Sequence, residues 1–356
     1  MEPQLITWRL ARQAAGRATL VALVGIAVVA CQASSPASAG QHPTPTTAAA
    51  AAPRPLEPVS LRLDFLARGY DVIFLAARER GYYAERGLDV SIAEGQGSGP
   101  TFQAVINGSE TFGLVDPGVL ARGVQAGAEA QMILSIFQQN MFGILSPRDR
   151  PLTQPADLEG RRLAFTPGAV AEIMWPVFAR KTGIDEDKVT LLNVDATAKA
   201  TLMRNGQADG AFHLVPTDST IYESSGFPVA AMRYSDFGLS RLGTGVMART
   251  ETLRDKPEVA RGFVAATQRG WQTAIDNPDL APPLVRQAFT VPRSDSSLRL
   301  EWTRMMEYMR TERTKDRPLG WMDPADWEET QQVLIEAGFL QERLPVERYF
   351  TNALIP

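Results

Sequence analysis

Apolar and polar residues alternate through the middle of the chain in two series, each mixing short strand-like runs with longer helix-like ones. The first series predicts strands at 61–65, 88–93, 112–115 and 131–137, and helices at 71–86, 101–107 and 118–125. The second predicts strands at 162–165, 189–194 and 210–214, and helices at 169–182, 197–205 and 217–223. Such alternation predicts βαβ units and largely parallel sheets.

Two series of this kind predict two α/β lobes within one chain. The chain is expected to pass between the lobes near 142–147 and again near 243–248. Four helical patterns at 257–276, 280–289, 294–313 and 323–338 are expected to pack back on the first lobe. The predicted organisation is a first lobe at 59–145, a second lobe at 146–243, and a return to the first lobe with C-terminal helices at 244–356.

The N-terminal region has a different composition. Three arginines precede an apolar run at 18–30 that is too short to span a bilayer, which is typical of a secretory signal peptide over residues 1–30. Cys31, the only cysteine, follows this run at once, so it is predicted to be the lipidated first residue of a lipoprotein. Residues 31–58 are rich in Ala, Pro and Thr and are predicted to be a disordered tether.

Charge and missing motifs exclude several function classes. The net charge of −4 is spread over both signs without a basic stripe, which argues against nucleic acid as a partner. His213 is the only histidine of the folded body and is expected to be a satisfied residue at a strand end. No zinc, P-loop or hydrolase motif occurs, and we expect no catalytic residue, metal or cofactor.

Four strand–turn–helix junctions carry candidate ligand contacts, since ligands of open α/β sheets bind at the carboxyl ends of strands. They lie at 95–99, 116–117, 166–168 and 195–197. The first three supply Gln96, Ser98, Asp116 and Thr166, although the same residues would also serve as plain turns and helix caps. Further candidates are chosen by position beside predicted strand ends, crossings and the first helix of the second lobe. These are Arg68, Tyr70, Asp71, Phe74, Gln138, Asn140, Glu172, Trp175, Tyr234 and Asp236. For Trp175, packing at the base of the lobe is an equal alternative.

Six stretches resemble the periplasmic binding proteins for thiamine-precursor pyrimidines, sulfonates and nitrate, over about residues 59–356. They are ERGYYAERGLDVSIAEGQGSG, INGSETFGLVDPGVL, DLEGRRLAFTPG, TLMRNGQADGAF, YSDFG and RYFTNALIP. The resemblance implies the type II periplasmic-binding-protein fold, in which two α/β lobes close on a ligand. It also implies delivery of a small molecule to an ABC permease and its ATPase. Together with the predicted anchor at Cys31, this places the protein on the outer face of the cell membrane, and we expect it to be a monomer.

The ligand is left open among three classes. The pyrimidine-binding branch of the family has an Asn–His-type pair where this chain has Arg68, Gly69, Tyr70 and Asp71. Arg68 is the only strong cation among the candidates, whereas aromatic and amide groups are plentiful, so a heterocyclic vitamin is favoured. Riboflavin is the first choice, a thiamine-precursor pyrimidine the second and a small anion the third. A thiamine-pyrimidine synthase-like enzyme, and a sensor that signals to a membrane protein, are the alternatives of another class.

Overall fold

The computed structural model describes residues 55–166, Ala171 and 174–356, so the predictions for the signal peptide, Cys31 and Glu172 lie outside the described residues. Among these residues, no helix has the length and apolar character needed to cross a membrane. The described part of the chain forms ten strands: β1 Glu57–Arg62, β2 Leu88–Ala93, β3 Phe112–Val115, β4 Ala130–Ser135, β5 Phe142–Pro147, β6 Arg162–Phe165, β7 Thr190–Asn193, β8 Gly210–Leu214, β9 Val229–Arg233 and β10 Gly245–Arg249.

Eleven helices of six residues or more are described. They are α1 Val72–Glu79, α2 Ser98–Ile106, α3 Pro117–Gln125, α4 Trp175–Thr182, α5 Lys199–Arg204, α6 Val215–Ser224, α7 Thr250–Asp255, α8 Pro257–Asp276, α9 Ala281–Ala288, α10 Asp295–Met306 and α11 Pro324–Glu336.

The strands form two five-stranded sheets, in the orders β2-β1-β3-β10-β4 and β7-β6-β8-β5-β9. In each sheet the first three strands are parallel, because α-helical crossovers connect them. The fourth strand in each order is antiparallel to its neighbours and is the one that the chain forms directly after crossing from the other sheet. The predicted fold is therefore confirmed as two mixed α/β lobes.

The two crossings lie just before the positions predicted for them. Residues 142–147 and 245–249 are strands β5 and β10 themselves, so the chain passes between the sheets at 136–141 and 238–244. Both strands are buried apolar runs. From sequence alone, such a strand cannot be distinguished from a buried connection between two lobes. The predicted lobe limit after residue 145 cuts β5, all of which pairs in the second sheet.

The sequence analysis also differs from the structure at two other strands. β1 begins at Glu57, within the segment assigned to the tether, because Val59 and Leu61 face the core. Pro58 has no backbone N–H to donate to a neighbouring strand. It is tolerated there because β3 pairs only with Leu61 and Arg62, which leaves one side of the start of β1 without a neighbouring strand. β9 was not predicted at all.

The C-terminal helices complete the first lobe. α8 packs along α1 so closely that a Cβ on Gly270 would lie 2.4 Å from the Ile73 carbonyl oxygen. α9 and α10 join the same core through Val285, Leu298 and Trp302. α11 packs against α3, and its Val333 reaches the core of the second lobe. The C-terminal third therefore covers the first lobe, as expected, and also contacts the second.

Candidate functional site

The ends of β1, β2 and β3 bring three loops together at one edge of the first sheet. Backbone hydrogen bonds join the first two loops: Gly95 N–H donates to the Phe65 carbonyl at 3.0 Å, and Gly97 N–H to the Asp64 carbonyl at 2.7 Å. Gly97 has φ +124°, a conformation that favours glycine, and a Cβ on Gly95 would lie 2.0 Å from the Leu63 carbonyl oxygen. These glycines are therefore required by the turn itself.

The loop after β1 carries a polar cluster. Arg68 Nη1 donates to the Tyr70 hydroxyl at 3.1 Å, and this hydroxyl donates to Asp64 Oδ1 at 3.0 Å. Burial opposes the charge of Arg68, but Tyr70 and Asp64 outweigh it and raise its pKa above the usual value. The structure thus brings Arg68 and Tyr70 together, with the Tyr70 ring buried against Phe137 and not open to a ligand.

Asp71 and Phe74 lie deeper than the sequence suggested. Asp71 is 1% exposed, and its Oδ2 accepts a hydrogen bond from the backbone N–H of Arg68 at 2.8 Å. Burial raises the pKa of Asp71 well above its ordinary value. Phe74 is fully buried within the first core. In this conformation neither side chain reaches the surface where a ligand would sit.

Two apolar residues that the sequence analysis passed over stand at the surface of this loop. Phe65 is 44% exposed and Leu66 is 56% exposed, which is unusual for large apolar side chains. The Arg68 guanidinium lies 5.4 Å from the centroid of the Phe65 ring, so one face of the ring is held by a cation–π contact. The sequence analysis assigned Phe65 as the last residue of a strand, whereas β1 ends three residues earlier at Arg62 and Phe65 lies in the loop.

The third loop centres on Asp116, which acts as the N-cap of α3. Its Oδ1 accepts from the Gly118 N–H at 2.8 Å, and its own N–H donates to Ser98 Oγ at 3.0 Å. Ser98 and Asp116 are therefore joined. Gln96 is exposed and lines a shallow cavity of about 240 Å³ together with Arg62, Glu94 and Ala104. All three predicted residues lie at the strand-end loops of the first lobe.

Arg241 is a buried cation that the sequence analysis did not find. Its side chain is 1% exposed, and its Nη2 donates to Asp116 Oδ2 at 2.7 Å. Its guanidinium also lies 5.6 Å from the centroid of the half-buried Phe142 ring. Because Arg241 belongs to the second crossing and is 125 residues from Asp116, only the tertiary structure reveals the pair.

Gln138 and Asn140 belong to the first crossing, where both are buried. Asn140 Nδ2 donates to the Leu239 carbonyl of the second crossing at 3.3 Å, and its Oδ1 accepts from the Phe142 N–H at 2.8 Å. Gln138 Nε2 donates to the Trp321 carbonyl at 2.9 Å. Asn140 therefore joins the two crossings, and Gln138 ties the first crossing to the segment before α11.

Of the predicted second-lobe contacts that the structure describes, only Thr166 lies half-exposed at a strand end, where its Oγ1 donates to the Val194 carbonyl at 3.1 Å. Trp175 and Tyr234 are core residues that pack on Phe178, and the Tyr234 hydroxyl donates to the Ala171 carbonyl. For Trp175 the structure agrees with the packing alternative. Asp236 is exposed and paired with Arg233, away from Thr166.

His213 is satisfied at a strand end, as expected. Its Nδ1 lies 2.8 Å from Asp218 Oδ2 and its Nε2 lies 3.1 Å from the Tyr222 hydroxyl. Burial opposes ionisation of Asp218, but His213 and the Leu214 N–H outweigh it and lower the pKa of this carboxyl. Both ring nitrogens of His213 thus have partners within the second lobe.

Each cation near the strand-end loops of the first lobe has an acidic partner. Arg62 pairs with Glu110, Arg68 with Asp64, and Arg241 with Asp116. Within 55–166 and 174–356, no group of three His, Cys, Asp or Glu side chains is placed to hold a metal ion. The first-lobe face, meaning the surface of these strand-end loops, therefore exposes the apolar Phe65 and Leu66 and the polar Gln96, with Ser98 and Asp116 half-exposed. The cations there are paired with carboxylates.

Comparison with known proteins gives relatives over nearly the whole chain. Riboflavin-binding protein RibY of Chloroflexus aurantiacus is 24% identical over 351 residues, covering 95% of this chain and 97% of RibY. The formylaminopyrimidine-binding protein of Halalkalibacterium halodurans is 23% identical over 313 residues, covering 83% and 90%. A more distant relative, from Legionella pneumophila, is named as a 4-amino-5-hydroxymethyl-2-methylpyrimidine phosphate synthase and is 22% identical over 323 residues, covering 84% and 92%.

Among solved structures, the periplasmic aliphatic sulphonate binding protein SsuA of Escherichia coli superposes with a TM-score of 0.65 at 14% identity. The match covers 83% of this chain and 92% of SsuA, and confirms the two-lobed fold. The family model described as NMT1/THI5 like matches residues 70–281, which is more than half of the chain. The chain is a member of the NMT1/THI5-like family, with the fold of the periplasmic binding proteins.

Proposed function

We propose that the protein is the solute-binding subunit of an ABC importer and that it captures a neutral heterocyclic vitamin, with riboflavin as the first choice. The observation that carries the ligand class is the first-lobe face, where the Phe65 ring is 44% exposed, its loop is hydrogen-bonded through the backbone to the loop of Gln96, and the cations are already paired. A flat heterocycle can stack on such a ring and hydrogen-bond to its polar neighbours.

A sulfonate or nitrate would find this face less favourable. A desolvated anion needs a cation or several directed N–H groups, and Arg68 and Arg241 are both held by carboxylates. RibY and the formylaminopyrimidine-binding protein are named for heterocyclic ligands, which supports the same order of preference. A pyrimidine precursor is therefore the second candidate and a small anion the third.

The ligand-contact residues in this proposal are a revised set. Phe65, Gln96, Ser98 and Asp116 of the first lobe and Thr166 and Phe142 of the second are exposed or half-exposed at strand ends or beside the crossings. Tyr70, Phe74 and Trp175, which sequence alone suggested as stacking rings, are buried. Stacking is therefore assigned to Phe65, with Phe142 on the opposite lobe.

The test is a fluorescence titration of riboflavin with the purified protein. Bound flavin should lose emission, and Phe65→Leu should raise the Kd about 3- to 10-fold through loss of one stacking partner. Phe339→Leu is the matched control, because an arginine also lies over that half-buried ring, at 5.9 Å, and should leave the Kd unchanged. Unchanged emission at micromolar protein, with a thermal shift from taurine or nitrate instead, would overturn the heterocycle assignment.

The proposal includes a lipid anchor at Cys31, which fits a binding protein that serves a membrane permease. The lone cysteine after a short apolar run is the basis. Mass spectrometry of the membrane-extracted protein is expected to show a mature chain that begins at a diacylated Cys31. A mature chain beginning at Ala33 or later would contradict it.

A further inference from the structure

Glu301 is a fully buried carboxylate that contacts both lobes. It lies in α10, which belongs to the first lobe, and its side chain is 0% exposed. Its Oε2 accepts a hydrogen bond from the backbone N–H of Gly69 at 2.8 Å. Its Oε1 accepts from Thr217 Oγ1 of the second lobe at 2.8 Å. One carboxylate thus joins the loop after β1 to helix α6.

Gly69 is packed tightly against α10, with no room for a larger side chain. A Cβ on Gly69 would lie 2.3 Å from the Leu298 carbonyl oxygen and 3.2 Å from Glu301 Oε2. The loop is therefore pressed against α10 four residues after Phe65 and one residue after Arg68. The segment that carries the exposed ring is therefore in direct contact with Glu301 through Gly69.

The charge of Glu301 is compensated on its own side of the contact. Arg293 Nη2 lies 2.9 Å from Oε2 and forms an ion pair with it, while its side chain is 16% exposed. A buried carboxylate is stable only when it is paired with a cation and hydrogen-bonded. Arg293 supplies the cation for Glu301, and Gly69 and Thr217 supply the hydrogen bonds. Loss of the Thr217 bond alone would free Oε1 and weaken the hold of the carboxylate on Gly69, although Gly69 and Arg293 remain available as partners.

A second set of polar contacts lies one turn further along α10. Arg304 Nη1 donates to Ser219 Oγ at 2.9 Å, and the Arg304 guanidinium pairs with Glu223. Both partners belong to α6, so α10 and α6 meet along a polar seam between the lobes. Glu301 is the member of this seam that also holds the loop after β1.

From this geometry we propose that Glu301 is a positioning residue that couples the loop after β1 to the position of the second lobe. The Thr217–Glu301 bond favours the arrangement in which α6 lies against α10, and the same carboxylate then fixes the loop that presents Phe65. The proposal rests on the proposed binding function for its effect on affinity. Its effect on lobe position and loop protection does not depend on any ligand.

The decisive variant is Thr217→Val, which keeps the side-chain shape, removes the bond across the lobes and leaves the Gly69–Glu301 bond available. Without ligand, small-angle scattering should give a larger radius of gyration than for wild type, and amide exchange at Gly69 should be faster. Because fewer molecules then hold the binding-competent arrangement, the riboflavin Kd should rise about tenfold. Thr217→Ser, which keeps the hydroxyl, should restore all three values.

Thr182→Val is the matched control, because the Thr182 hydroxyl of the second lobe bonds only within its own helix, to the Phe178 and Ala179 carbonyls. It should match wild type in radius and in Gly69 exchange. If Thr217→Val also matches wild type in both, the coupling proposal is wrong, whatever the ligand. If wild type binds no riboflavin while the two ligand-free readouts change as expected, the ligand assignment fails and the coupling stands.

Discussion

At the residue scale, the site depends on charges that are buried and paired. Arg241 and Asp116 join the second crossing to the N-terminus of α3, and Asp71 lies unexposed beside Arg68. Sequence reasoning found Asp116 through its Asp-Pro cap pattern, because capping is a local rule. It could not find Arg241, Glu301 or the burial of Asp71, since these depend on contacts between distant segments.

The Asp116–Arg241 pair is expected to stabilise the fold strongly. Asp116→Asn keeps a good helix cap but leaves the buried guanidinium without its counter-charge, so the free energy of unfolding should fall by about 3 kcal/mol. Adding Arg241→Met should recover much of the loss, because it removes the unpaired charge. Urea unfolding would measure both variants.

Glu258→Gln is the surface control for that pair. Glu258 pairs with Arg261 on the exposed side of α8, where the side chains are 85% and 52% exposed. Breaking such a pair should change the free energy of unfolding by less than about 1 kcal/mol. An Asp116→Asn effect as small as that of Glu258→Gln would show that the buried pair is not a major source of stability.

Asp71 should make stability depend on pH. Its pKa is raised in the folded state, so as pH rises above the ordinary value of 3.8 the unfolded chain loses this proton first. The contribution of Asp71 to stability is therefore full below that value and declines as pH rises toward neutral. Asp71→Asn lacks this titrating proton. The difference in the free energy of unfolding, wild type minus Asp71→Asn, should therefore decrease from about pH 4 to about pH 7.

Urea unfolding of both proteins at several pH values provides this difference, in which the other titrating groups largely cancel. A difference that stays constant across the range would mean that Asp71 titrates normally in the folded state.

At the scale of elements, sequence patterns predicted most strands and helices because period and capping are local. β2, β3, β6 and β8 have the predicted limits, and so does α8. β9 was missed since it follows a helix end closely and alternates weakly, and the helix predicted at 294–313 ends at Met306. The close approach of α8 to α1 has no local signal other than Gly270 itself.

Gly270→Ala tests that close approach. In a helix, alanine is more favourable than glycine by about 1 kcal/mol. However, the alanine Cβ would lie 2.5 Å from the Ala77 nitrogen, so the substitution should lower the free energy of unfolding by about 1–3 kcal/mol. Gly99→Ala is the control, because a Cβ there meets nothing within 4 Å, and it should be neutral or stabilising. Equal effects of the two substitutions on urea unfolding would contradict tight packing of α8 on α1.

At the scale of the whole molecule, two crossings and a polar seam connect the lobes. The crossings are joined by Gly243 N–H to the Phe137 carbonyl at 2.9 Å and by Asn140 to Leu239. The alternating pattern predicted the two lobes, but it placed the crossings too far along the chain, because buried connections and buried strands look alike in sequence. The contacts of α10 with α6 follow only from the fold.

Hinge closure around a ligand is the expected response of this architecture. Saturating ligand should lower the radius of gyration in small-angle scattering, because the second lobe moves toward the face that carries Phe65. An unchanged radius at saturation would argue for a preformed site that does not close.

The measurement that tests the central claim most directly is thermal unfolding of the purified protein with riboflavin, a thiamine-precursor pyrimidine, taurine and nitrate. A compound that binds only the folded protein stabilises it by about 2.7 kcal/mol at 100 times its Kd. We predict a clear rise in melting temperature with riboflavin, or with the pyrimidine, and none with the two anions. A rise with the anions alone, or with none of the four compounds, would contradict a binding protein for a neutral heterocycle.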